Sequence, residues 1–149
     1  MPTTTANIQT VIQAAFSAQS WFDDADIPIL LEDQPDTPEA FENYMASPGA
    51  CVIVGKPNFA RIENGRVQIN VSVEIYENTK INRAVGGTLK ECDEISENAW
   101  AAMEEYQHAT YPQFAPLLPQ SLDFDMTNLG ELVGIITIQT TSGIKVTSY

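Results

Sequence analysis

The feature that most constrains this chain is an Asn-Gly pair set between two apolar runs, "ACVIVGKPNFARIENGRVQINVSVEIYEN". Asn64-Gly65 is the strongest two-residue hairpin signal, because both central positions of such a turn take positive φ. In the second arm Val67, Ile69, Val71, Val73 and Ile75 recur at every other position, the pattern of a strand with one buried face. Centring the turn on Asn64-Gly65 predicts Glu63 opposite Arg66, Ile62 opposite Val67, Ala60 opposite Ile69 and Val54 opposite Ile75. Val52, Val54, Ala60 and Ile62 then lie on the buried face. Gly55-Lys56-Pro57 interrupts the first arm and predicts a bulge or bend there. Ordering such a hairpin costs more conformational entropy than its own apolar pairs return, so another segment must cover it.

The predicted cover is "TLKECDEISENAWAAMEEYQ". Leu89, Cys92, Ile95, Ala99, Met103 and Tyr106 fall on one helical stripe with Trp100 at its margin, and Asp93, Glu94, Glu97, Glu104 and Glu105 lie opposite. Thr88 and Glu91 have the spacing of a capping box.

Upstream, Ile8, Val11, Ile12, Ala15, Gln19 and Phe22 predict one helix over residues 6–22, with Gln19 the only polar member of its stripe. "DIPILLED" reads as a short strand. "DTPEAFENYMASPG" reads as a short helix with Thr37 as cap, Pro38 at the first helical position and Ser47-Pro48-Gly49 as its stop. Downstream, Pro112, Pro116 and Pro119 predict an extended crossover. Leu122, Phe124 and Met126 alternate, Asn128-Leu129-Gly130 turns, and Glu131–Thr140 is apolar on both faces at its centre, which predicts an internal strand. "SGIKVTSY" reads as a short strand or tail. The 149 residues contain no internal repeat or linker and read as one domain. The expected class is α+β: an antiparallel sheet built from two hairpins, with helices packed on one face.

Charge is distributed unevenly. The net charge is −13, yet Lys56, Arg61, Arg66, Lys80, Arg83 and Lys90 fall in one segment with three acids, Glu63, Glu74 and Glu77. That segment is +3 and the remainder of the chain −16. The overall sign disfavours binding to a phosphate backbone. Segregated sign suits a contact in which one face of a copy meets the opposite face of the next, although scattered Lys and Arg also protect a solvated edge strand.

Catalytic signatures are missing from the sequence. There is no GxSxG, HExxH, P-loop or dinucleotide fingerprint, and His108 stands alone in a connection. Gly86-Gly87 reads as a flexible joint in preference to an anion site. The carboxylate groups Asp23/Asp24/Asp26, Glu32/Asp33/Asp36 and Asp123/Asp125 do not fit a calcium loop. Cys51 and Cys92 read as two buried thiols in preference to a disulfide. No enzymatic activity, cofactor or metal is expected. No run reaches the length of a membrane span and the N-terminus lacks a signal-peptide pattern, which predicts a cytosol-like compartment without membrane association.

The order of elements, carried by Ile8–Phe22, "VIVGKPNFARIENGRVQINVSVEIY", "GGTLKECDEISENAWAAMEEY" and "LGELVGIITIQT", resembles that of tailed-bacteriophage tail terminator (tail completion) proteins and related head-to-tail joining proteins. The "EDQPDTPEAFENYMASPG" insertion and the Pro-rich crossover depart from the simplest version of that pattern. The resemblance implies a structural virion protein: a homohexameric ring at the head-proximal end of the tail, assembled in the host cytoplasm. It would touch the tail tube protein and the head connector protein, and DNA would pass its lumen without specific binding. Under this reading Lys56, Arg61, Arg66, Lys80, Arg83 and Lys90 meet Asp93, Glu94, Glu97, Glu104 and Glu105 of the adjacent subunit, with the Asn78–Gly87 extension reaching across. Surplus carboxylates would line the lumen. The alternatives are an acidic DNA-mimic inhibitor or immunity-type binding protein, which would bind a basic nuclease as a monomer or dimer, and a small enzyme with a site near His108 or the carboxylates.

Overall fold

The structure, a computed structural model, describes residues 3–143 apart from Asn64. The order is α1 (Thr4–Ser17), α2 (Ser20–Asp24), β1 (Ile29–Leu31), α3 (Thr37–Ala46), β2 (Ala50–Val54), β3 (Asn58–Glu63) and β4 (Arg66–Glu77). Then come α4 (Thr79–Asn82), α5 (Cys92–Met103), β5 (Leu118–Met126) and β6 (Leu132–Gly143). The six strands form one sheet in the order β1-β2-β4-β6-β5, with β3 also paired to β4. The class is α+β as expected. The sheet is mixed, because β1 runs parallel to β2 while every other pairing is antiparallel.

The core follows from strand alternation. Ile69, Val71, Val73 and Ile75 on β4, Val52 and Val54 on β2, and Ile136 and Ile138 on β6 are buried on one face. Over that face lie Ile8, Val11, Ile12, Ala15 and Phe16 of α1 and Ile95, Ala99, Ala102 and Met103 of α5. The internal position expected for the last long strand holds, since β6 lies between β4 and β5. The segment between α5 and β5, with Pro112 and Pro116, contains no helix or strand, and Phe114 and Leu117 anchor it to the core. Pro119, expected in that crossover, instead belongs to β5, at the edge of the sheet. The expected strand or tail after Ser142 lies, beyond Gly143, outside the described residues.

The predicted hairpin register holds only at its first pair. Glu63 does face Arg66, but Arg61 faces Val67, Phe59 faces Ile69, and Val54 faces Val73 instead of Ile75. Two one-residue bulges account for this. One skips Ile62; the other lies at Gly55-Lys56-Pro57, where β2 ends before β3 begins. One inserted residue inverts which side chains face the core, and a second restores the original phase. Ala60 and Ile62 are exposed, against expectation, but so are Phe59 and Arg61, which the shift brings into the core phase. The whole of β3 lies outside the core cluster, while Val52 and Val54 are buried as expected.

The first helix is also shorter than its periodicity predicts. It ends at Ser17, Gln19 turns to extended backbone and α2 restarts at Ser20. An unbroken helix would carry Gln19 onto the apolar stripe. The break leaves Gln19 exposed and still brings Phe22 edge-on to Phe16, ring centroids 4.9 Å apart. Not every helix shares the α1/α5 face. Phe41 of α3 packs 4.9 Å from Tyr76, whose side chain alternates to the reverse side of β4 from Ile75. Thr37 does not cap α3 by its side chain; Asp36 is the cap residue, and the Thr37 hydroxyl donates to the Leu31 carbonyl at 2.5 Å.

Candidate subunit interface

The bases that cluster in sequence separate in space. β4 is 12 residues long; at ~3.3 Å per residue its ends stand about 36 Å apart. Arg61 and Arg66 flank the hairpin tip, and Lys56 sits on the same edge at the β2–β3 break. Lys80, Arg83 and Lys90 belong to the connection at the opposite end, between β4 and α5. Strand geometry thus divides one sequence cluster into two.

The two groups differ in how they are compensated. Arg83 Nε lies 3.0 Å from Glu77 Oε2, and Arg83 Nη1 lies 3.5 Å from Glu91. Lys90 pairs with Glu94 at 3.8 Å, one turn along the chain. By contrast, Lys56, Arg61 and Arg66 form no ion pair among the described residues. The Arg66 guanidinium donates to the Thr141 hydroxyl at 3.4 Å, and Arg61 and Arg66 are exposed. Lys80 is exposed on α4 and likewise forms no ion pair among the described residues.

Glu77 organises the compensated end. It continues the phase of Val73 and Ile75, so its side chain enters the core face and is fully buried. Asn82 Nδ2 donates to it at 2.6 Å, Arg83 Nε and Nη2 donate at 3.0 Å each, and the Cys92 amide donates at 2.9 Å. Burial by itself raises the Glu77 pKa. Hydrogen bonds from Arg83, Asn82 and Cys92, together with the Arg83 charge, outweigh burial and hold the carboxyl below its ordinary value.

This carboxylate caps α5, in place of the predicted Thr88/Glu91 box. Glu91 occupies the cap position without a side-chain bond. Thr88 instead hydrogen-bonds Asn82, through both its amide and its hydroxyl. Leu89 leaves the expected stripe at φ 61° and is exposed. Within the Asn78–Gly87 extension, buried Asn82 ties α4 to its own chain and also donates to the Lys90 carbonyl at 2.7 Å, while residues 83–86 are exposed, Val85 fully so.

Of the acidic residues singled out, Asp93 and Glu97 are exposed on α5 and Glu94 is partly covered. Glu104 follows the helix and accepts from Trp100 Nε1 at 2.7 Å; Glu105 is exposed at φ 58°. Near the start of α5 a groove of about 270 Å³ is lined by Glu91, Asp93, Phe124, Asp125 and Leu132, with Arg83 in its wall. Sequence pattern alone missed this groove. Its visible signal was Phe124 and Met126, which keep strand alternation yet extend past the cover, and both are exposed.

Both cysteines are free and buried. Burial raises Cys51 to about 12 and Cys92 to about 11. Neither thiol is therefore expected to react with an aromatic disulfide reagent in the folded protein near pH 8, and both should react at once in denaturant. Rapid labelling without denaturant would contradict this packing. His108 lies in the crossover, its Nδ1 accepting from the Thr110 amide at 3.0 Å. Among the described residues no group of three or more His, Cys, Asp or Glu is arranged to hold a metal ion. No helix among them is long and apolar enough to cross a membrane. Compared with protein-family models and with curated proteins, the chain matches none.

Proposed function

We propose that this chain is a structural subunit of a phage tail, a terminator or head–tail joining protein that closes into a ring by head-to-tail contact. The carrying observation is the hairpin tip: Arg61 and Arg66 are exposed and form no ion pair among the described residues, in a chain of net charge −13. An uncompensated cationic edge on an anionic body is complementary to another copy of itself. The contact is heterologous, so successive copies generate a ring when the rotation closes. Arg83 and Lys90 hold the subunit's own fold, which leaves Lys56, Arg61, Arg66 and Lys80 to face a neighbour. A scaffolding role needs no reaction, and the exposed carboxylates of the body would repel the DNA passing the lumen.

Reversing charge at the tip tests this reading. Arg61→Glu with Arg66→Glu should weaken self-assembly about a hundredfold, since like charges would then oppose one another across the contact. Light scattering and negative-stain imaging read the assembly, and circular dichroism checks the fold. Assembly of the parent protein should also weaken as salt rises, because exposed charges are screened beyond about 8 Å at physiological ionic strength. Unchanged assembly of the double variant at that salt would remove the basis for the proposal.

A further inference from the structure

We infer that the groove at the start of α5 receives the β3 hairpin tip of the next copy, with Ile62 or Phe59 as the inserted side chain and Arg61 beside Asp93 and Asp125. This assignment rests on the ring-forming reading above and names the receiving surface.

The tip is shaped as a knob. The bulge at Ile62 removes it from the ladder and leaves it 48% exposed, and Phe59 is 41% exposed beside Arg61. Neither residue belongs to the core, and apolar side chains held outward next to arginine are typical of interface anchors.

The groove is shaped as the matching hole. At about 270 Å³ it falls below the roughly 300 Å³ at which small-molecule sites begin, a size suited to one or two side chains. Leu132 forms part of its lining and Phe124, 55% exposed, forms an unfinished wall. Arg83 in that wall already serves Glu77 and Glu91. Among the described residues Asp93 and Asp125 each accept one hydrogen bond, at Oδ1, from the amides of Glu94 and Met126. Asp93 also lies within the field of Arg83, and each keeps its second carboxylate oxygen for an incoming guanidinium. Knob and hole lie at opposite ends of β4 and carry opposite charge. One copy cannot fill its own groove across that span, whereas a neighbour can.

Cross-linking tests the assignment. Ile62→Cys and Phe124→Cys replace exposed side chains, and the native thiols, raised to about 12 and about 11, stay silent at neutral pH. When the two single variants are mixed with a short bis-maleimide, the expected product is a heterodimer, and the double variant should give a ladder of multimers. Arg61→Asp alone and Asp125→Arg alone should each abolish the ladder, and combining them should restore it. If light scattering shows assembly but the ladder is missing, or only Ile62→Cys pairs with itself, the receiving surface is misassigned and the ring reading stands. If the parent protein does not self-associate at its highest soluble concentration or on a tail tube end, both fall together.

Discussion

Glu77→Ala is expected to destabilise the fold by about 2–4 kcal/mol, a large share of the roughly 5–15 kcal/mol that holds a domain of this size together. The reason is what the substitution leaves behind. The buried Asn82 amide group and Cys92 amide would each lose an acceptor where solvent replaces it poorly, while the Arg83 guanidinium, 41% exposed, falls back on solvent and Glu91. Urea unfolding followed by circular dichroism measures the loss as a lower midpoint at constant slope. Glu77→Gln should fall between, because an amide keeps one acceptor but opposes its NH2 to the Arg83 donors.

The same residue predicts an acid dependence. The folded carboxyl has its pKa held below the ordinary value. Its contribution is therefore complete above the unfolded carboxyl's pKa, about 4.3, and is lost as the pH falls through the lower folded value. Stability of the parent protein should decline over that acid range, and Glu77→Gln should flatten the decline. An equal slope in both proteins would show that other carboxylates set the acid limit.

How far the fold could be read from the chain depended on how each element is specified. The β4 strand was legible because five alternating apolar residues leave little freedom of face. β6 was legible because it is apolar on both sides at its centre, as an internal strand requires. The register of the first arm was not, because a bulge obeys local backbone geometry that side-chain pattern does not record. Ile62 is the clearest case: it is apolar, in phase with an ideal hairpin, and exposed. The cap of α5 was misread for a related reason. Thr88 and Glu91 have the right spacing, but a carboxylate fifteen residues upstream already supplies the acceptor, and long-range partners leave no mark on local spacing. Glu77 itself was legible in principle, since it continues the odd-numbered phase that buries Ile69, Val71, Val73 and Ile75. The proposed interface was half legible: the cationic cluster was visible, while its division into a tip without ion pairs among the described residues and a largely compensated base required three dimensions.

Neighbouring glycines in the β4–α5 connection are expected to respond very differently to alanine. Gly86 sits at φ 96° with open space around it, so Gly86→Ala meets only the strain of a left-handed backbone, about 1–2 kcal/mol. Gly87 lies against the backbone of α4. A Cβ there would stand 2.5 Å from the Asn82 carbonyl carbon and the Ile81 oxygen, atoms that cannot rotate aside. The connection would have to lift off Asn82, whose side chain joins Glu77, Thr88 and Lys90. Losing two of those buried bonds at about 1–3 kcal/mol each puts Gly87→Ala near 4 kcal/mol. The pair of variants therefore separates two accounts of the glycines. A flexible joint would tolerate either substitution to a similar degree, whereas a close-packed seat for Asn82 fails at Gly87 and largely survives at Gly86. Equal unfolding midpoints for the two proteins would favour the joint. A lower midpoint for Gly87→Ala, together with faster amide exchange at Cys92, would tie that one missing side chain to the Glu77 cap and so to the groove that α5 helps to form.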